Sequence, residues 1–374
     1  MKILLAGDYC PRNNVETLIS QGKYEQVFGN VKDLIENYDI SIVNFETVLT
    51  TGKEKPINKL GICLACDEKA IEALEYAGFK AVTMANNHIG DYGPSAILHT
   101  KQTCEQYGLK TVGAGKNKED ASKILYFNNG KESTAIINCC EREFNIAGPT
   151  TPGANALNPI NVYYAIQEAK TKADYIVVII HGGHEHFQLP SIRMVDTYRF
   201  FIDAGADAVV NHHQHCYSGY EVYKNHPIFY GLGNFCFEDH TNPPTWYEGY
   251  MVGLNLKKSG VEYILYPYIQ CRESPTVELI SDTASFTQHV KSINSIITDR
   301  KRLSEELSSY YETKSEYLKG MLEPYSGIVT GKLFSMGLLP KTVDERKLMF
   351  LRNKIDNDSH RDMFLYELRK HGDF

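Results

Sequence analysis

Residues 211–215, NHHQH, hold three of the chain's thirteen histidines. A second run, HGGHEH, occupies residues 181–186. Imidazole nitrogen binds borderline transition metals, and carboxylate and amide oxygens commonly complete such sites. Those oxygens recur along the chain, in Asp8, Asn44, Glu46, Asn86, Asn87, Asp91 and Asn234, with His88 among them. A carboxylate, an amide and several imidazoles make a ligand set suited to Zn, Mn or Fe. Two divalent ions a few ångströms apart can hold a phosphate-like group and activate water for in-line attack.

The ligands are far apart in sequence, so the fold must gather them. Each follows or closes a short β-branched run that reads as a buried strand: 2–7, 40–45, 80–85, 109–114, 134–138, 175–180 and 207–211. Between these lie helix-period segments at 67–78, 93–108, 161–174 and 190–205. The alternation predicts an α/β sheet covered on both faces, with ligands bound outside the carboxyl ends of its strands. Residues 218–271 read as antiparallel strands, added to that sheet or packed on it, with a hairpin turn at KKSG. From 275 the pattern becomes helical, which divides the chain into a 1–274 domain and a 275–374 helical C-terminal region.

Composition removes several functions. A net charge of −7 argues against a general grip on nucleic acid, which needs a basic face to displace counterions. No apolar run is long enough to span a membrane, and the first residues lack a signal-peptide core. Nine cysteines, an odd number, suggest free thiols in a reducing compartment, so the expected location is cytoplasmic. GAGKN at 113–117 lacks the spacing of a phosphate-binding loop, and no GxSxG elbow occurs.

An ordered set of motifs adds to this reading: GDYC (7–10), NFE (44–46), GFKAVTMANNHIGDYG (78–93), GAG (113–115), HGGHE (181–185), DAGADAVVNHHQH (203–215) and YGLGNFCFED (230–239). Over about residues 2–240 the chain resembles the CapA-type poly-γ-glutamate capsule synthesis family, whose fold is similar to the calcineurin-like metallophosphoesterases. The resemblance implies mixed sheets flanked by helices in a four-layer α/β/β/α sandwich. It implies metal ligation by Asp8, Glu46, Asn87, His181, His213 and His215, and catalysis by the His88 imidazole. Asn44, Asn86, Asp91, Gly115, His184, Glu185 and Asn234 are then expected at the substrate.

Two positions depart from the phosphoesterase pattern. Cys10 stands where Asp-x-His has its histidine, so it either ligates as a thiolate or leaves the first site open or weak. Glu46 replaces Asp and shifts the bridging carboxylate by a methylene. Adjacent residues at a strand end point to opposite sides, so His212 does not readily share an ion with His213.

The implied cofactor is one or two divalent ions of Mn, Fe or Zn. The implied function is a metal-dependent hydrolase or transferase, phosphoesterase-like, in bacterial capsule or polymer synthesis. Its substrate would be an anionic small molecule or polymer precursor. The alternative is a non-catalytic, metal-containing binding or assembly component that works with capsule or polysaccharide synthesis proteins. Amphipathic C-terminal helices leave room for a homodimer.

Overall fold

The first apolar run forms strand β1 (Lys2–Tyr9), buried from Ile3 onward. In the computed structural model, which describes residues 1–325 and 327–369, fifteen further strands follow. They are β2 (Ile40–Phe45), β3 (Ala81–Thr83), β4 (Lys110–Val112), β5 (Ala114–Gly115), β6 (Leu125–Asn128), β7 (Ser133–Cys140), β8 (Gly153–Ala154), β9 (Tyr175–His181), β10 (Ala208–His212), β11 (Tyr220–Tyr223), β12 (His226–Phe229), β13 (Asn234–Cys236), β14 (Glu248–Lys257), β15 (Gly260–Gln270) and β16 (Val277–Leu279).

Two mixed sheets result. The first has the order β16-β15-β14-β1-β2-β3-β4, with β13 also pairing β1. Strands β1 to β4 are parallel, and β14 to β16 extend the sheet antiparallel from β1. The second has the order β11-β12-β10-β9-β7-β6 with a parallel centre, β7, β9, β10 and β12. Strands β5 and β8 form a separate two-stranded ribbon. The strands after residue 218 are therefore shared out: β11 and β12 join the second sheet and β14 to β16 the first.

The sheets meet face to face. Asn138 of β7 accepts a hydrogen bond from the Ala85 amide beyond β3 (2.9 Å), and the Phe229 and Tyr263 rings pack with centroids 5.5 Å apart. Helices α1 (Asn13–Ser20), α2 (Tyr24–Glu36), α3 (Lys69–Ala77) and α4 (Gly93–Gln106) share a hydrophobic core with the first sheet. After the short α5 (Lys118–Ala121), helices α6 (Pro159–Ala169) and α7 (Ile192–Ala204) pack on the second. This is the α/β/β/α layering that the resemblance implies.

Local chemistry sets the helix limits. The Ser191 hydroxyl caps α7 by accepting from the Met194 amide, and Gly205 ends it at φ 116°, a left-handed conformation that glycine adopts without steric cost. Gly78 ends α3 in the same way at φ 94°. Helix α2 buries Val27, Phe28, Val31 and Ile35, an apolar stripe at helical spacing that the sequence reading did not pick out.

The chain divides into two compact units, residues 1–303 and 304–374. The compositional shift at 275 does not coincide with this division. Strand β16 pairs with β15, and α8 (Ala284–Ile297) packs on β11, where the Asn294 side chain accepts from the Tyr220 amide at 2.7 Å. Helix α9 (Arg300–Met321) starts before the division, and α10 (Ile328–Ser335), α11 (Glu345–Asp356) and α12 (Asp358–Arg369) follow it. Within the second unit, Glu323 accepts from the backbone amides of Thr342 and Val343, and α11 packs on α12. Among the described residues no helix is long and apolar enough to cross a membrane. All nine cysteines are free thiols, and eight are buried.

Candidate metal centre

Each sheet contributes one row of polar residues at its strand ends. In the first, β1, β2 and β3 align Asp8 beside Asn44 and Asn44 beside Thr83. Thr83 Oγ1 donates to Asn44 Oδ1 (3.1 Å), and Asn44 Nδ2 donates to Asp8 Oδ1 (2.7 Å). The register shifts at Asp8, where β1 leaves β14 and takes β13 as its partner. In the second sheet the row is Cys140, His181 and His212.

Beyond β10 the backbone turns sharply. His213 and His215 have φ of 90° and 55°, left-handed values costly for side chains with a Cβ. The turn is held from below by buried Asn211, whose Nδ2 donates to the carbonyls of Gly182 (2.8 Å) and Tyr230 (3.0 Å) and whose Oδ1 accepts from Tyr198 (2.7 Å). Strain of this kind survives only where the surroundings over-determine the conformation, and here it aims both imidazoles at the first sheet's carboxylates.

The imidazoles and carboxylates converge. His213 Nδ1 lies 3.0 Å from His181 Nε2, and His181 Nε2 lies 3.1 Å from Asn87 Oδ1. Glu46 Oε1 is 3.5 Å from His181 Nε2 and 3.6 Å from His215 Nε2. Asp8 Oδ2 is 3.8 Å from His215 Nδ1 and accepts from the His213 amide at 3.2 Å. Three donor groups follow, each with ligand atoms within 4.8 Å of one another: Glu46 with His181 and His213, Asp8 with Glu46 and His215, and Glu185 with His213 and His215.

The electrostatics fit a cation. Glu46 is fully buried, and neither carboxylate oxygen has a hydrogen-bond partner. Burial first, then the neighbouring carboxylates of Asp8 and Glu185, push its pKa well above the ordinary range. A buried carboxylate without donors is expensive, and a divalent ion is the group that would satisfy it. Asp8 behaves oppositely: burial would raise its pKa, but the His212 contact and the fields of His181 and His215 hold it far below. Burial depresses His181 strongly and His213 to about 4, helped by neighbouring imidazoles, so both rings are neutral and able to ligate at pH 7.

Beside this cluster His88 Nδ1 meets Asp91 Oδ2 at 2.7 Å. Burial lowers the His88 pKa, and Asp91 works against that shift. Asp91 also accepts from the Leu64 amide (2.7 Å) and pairs with Lys59 Nζ (2.5 Å). The Lys59 side chain is only 1% exposed, although it comes from an otherwise exposed loop.

Several residues expected at the substrate face inward. The Asn44 amide bridges Asp8 and His181, and Asn86 holds the Phe45 carbonyl (2.8 Å) and the His88 amide (3.0 Å). Asn234 Oδ1 accepts from His215 Nδ1 (2.9 Å) and fixes that ring, while Asp91 fixes His88. Gly115 packs in β5 against α5. His184 is half-buried, with a pKa lowered by burial, and Glu185 is exposed at the third donor group. Cys10 packs with Leu64, Phe237 and Trp246, outside the three donor groups, and burial holds its thiol well above the usual pKa. His212 Nδ1 sits 3.2 Å from Asp8 Oδ1, on a carboxylate and outside the three donor groups.

A cavity of about 200 Å³ opens on the cluster, lined by Asn87, His181, Gly182, Gly183 and His213, with Glu141, Arg142 and Glu143 at its side. A larger cavity, about 750 Å³, lies between α5 and α6 and is lined by none of the metal-binding candidates. Glu141 to Glu143, Lys59 and Trp246 carry no motif and were not singled out in the sequence. Trp246 packs on His215 with ring centroids 4.9 Å apart.

Known proteins match this region. A solved phosphatase from Mycoplasma pneumoniae is similar in structure, with a TM-score of 0.46 and 14% identity over 72% of this chain and 93% of that one. The capsule biosynthesis protein CapA of Bacillus anthracis is 32% identical over 246 residues, 64% of this chain and 60% of that protein. The PGA biosynthesis protein CapA of Bacillus subtilis is 31% identical over 257 residues, 68% of this chain and 67% of that protein. The matched region thus spans about three fifths to two thirds of these relatives. The bacterial capsule synthesis protein family PGA_cap matches residues 2–239, from the start of β1 through the His88, His181 and His215 segments, and the chain belongs to that family.

Proposed function

We propose that the chain is a metal-dependent hydrolase of phosphoester-type bonds, acting on an anionic precursor in the synthesis of a capsular polymer. The observation that carries this reading is Glu46, a fully buried carboxylate with two unpartnered oxygens between His181 and His215. Glu46, Asn87, His181 and His213 would hold one divalent ion, and Asp8, Glu46 and His215 a second. Such ions supply Lewis-acid polarisation and a lowered pKa for water.

The chain's own residues do the rest. Asp91 takes the Nδ1 side of His88, leaving Nε2 to pass a proton to the departing oxygen. The lowered His88 pKa keeps the free ring neutral at pH 7, so the proton it passes on would be one taken up at Nε2 as the substrate binds. Asn234 and Asn44 hold the His215 and His181 rings, and Asn211 braces the backbone turn that carries His213 and His215, before anything binds.

Elemental analysis of untagged protein, reconstituted with Mn²⁺, Fe²⁺ or Zn²⁺, tests the reading alongside Glu46→Gln and His213→Ala. Near-stoichiometric metal in the wild type, reduced in both variants, together with hydrolysis of a phosphoester panel that follows metal content, supports it. Metal content unchanged in both variants, or no uptake at all, overturns it.

A further inference from the structure

The cavity over the donor cluster is acidic apart from one permanent cation, the Arg142 guanidinium on its wall. Its neighbours are engaged. Glu141 pairs with Arg193 at 2.5 Å, and Glu143 lies against the Asn87 side chain. Arg142 is exposed and makes no hydrogen bond or ion pair among the described residues.

The loop that carries it is anchored on both flanks. At one end the Glu141 amide donates to the His181 carbonyl (2.9 Å), and the Glu141 side chain fills the space over Gly182, where an added Cβ would meet its Cγ at 2.5 Å. At the other end the Asn145 side chain covers Gly90, where an added Cβ would lie 2.3 Å from Asn145 Cγ. Both anchors belong to segments that bear the cluster, 181–183 and 87–91. A fixed loop thus presents an uncommitted guanidinium beside the donor cluster.

We propose that Arg142 is the specificity-determining cation of the site and takes an oxyanion of the substrate, phosphoryl or carboxylate, that projects from the metal-binding end of the cavity. A guanidinium offers two parallel donors to either group, a fit that a lysine ammonium does not reproduce. The inference rests on the proposed function, because it places the reacting group at the donor cluster.

The test is calorimetric titration of the Mn²⁺-loaded full chain with inorganic phosphate in one arm and glutarate in the other, for wild type, Arg142→Ala and Arg142→Lys. Metal content and melting temperature are measured on each sample. The expected result is at least tenfold weaker binding of one anion in Arg142→Ala, partial recovery in Arg142→Lys, and unchanged metal content. The arm that weakens identifies the oxyanion as phosphoryl or carboxylate. Affinities within twofold of wild type in both arms, or no binding of either anion by the metal-loaded wild type, overturn the inference. A wild-type chain that takes up no metal overturns it together with the proposed function, and metal content alone identifies that case.

Discussion

The Trp246 indole lies against the His215 imidazole, ring centroids 4.9 Å apart, and Asn234 ties the two by bonding His215 Nδ1 and the Trp246 carbonyl. Trp246 is the single tryptophan of the chain, so its emission reports on one place. Titration with Mn²⁺ is expected to quench that emission saturably. His215→Ala should abolish the response, whereas a quench of equal size in that variant would place the ion elsewhere.

Glu46 should respond to loss of its charge. Its folded pKa is raised, so the ionised form opposes folding at every pH above the unfolded value. Glu46→Gln is expected to raise the melting temperature of metal-free protein at pH 7, by about 2–4 °C for each kcal/mol recovered. The same variant should lose the rise in melting temperature that Mn²⁺ gives the wild type. Thermal scans with and without EDTA measure both.

His213 carries a pH signature of the opposite kind. Its folded pKa is lowered to about 4, so between the unfolded value near 6.5 and pH 4 the unfolded chain binds more protons. Its contribution to stability is therefore full above pH 6.5 and is lost as pH falls to about 4, at no more than roughly 1.4 kcal/mol per pH unit. In urea denaturation of metal-free protein, His213→Asn should flatten this slope, since Asn tolerates the positive φ while removing the titrating ring.

Lys59 and Asp91 form a buried pair, 1% and 0% exposed. Lys59→Met would strand a carboxylate that keeps only His88 and the Leu64 amide, at an expected cost of about 3 kcal/mol. Adding Asp91→Asn should recover part of the loss. Urea unfolding of the single and double variants gives the coupling, and strictly additive losses would exclude it.

His88→Ala should lower phosphoester turnover by about 10²–10⁴-fold with metal content intact. Equal loss of metal and turnover would instead make His88 part of the binding shell.

The strands that place the ligands were legible because β9 is an apolar run unbroken up to His181 and β2 is interrupted only by Ser41 before Asn44, so their ends could be read from the sequence. The donor cluster was legible for the same reason, since Asp8, His181 and His213 each lie at or just past such an end. What each amide does was not, because Asn44, Asn86 and Asn234 differ only in what packs beside them. Lys59 sits in a lysine-rich loop with no period, and nothing local marks it as the one whose ammonium is buried against Asp91. Arg142 and Trp246 were missed on the same ground: their place is set by contacts between loops far apart in sequence.

Asp8 and His213, joined by a hydrogen bond, are 205 residues apart. At about 5–20 residues per second on the ribosome, the N-terminal carboxylate waits roughly 10–40 s before its histidine partner is made. Strand β1, central in its sheet, waits longer still, because its antiparallel neighbour β14 begins only at Glu248. During synthesis this apolar strand has one finished edge and one open, so the emerging chain is most exposed to mispairing and chaperone capture before residues 248–257 are out.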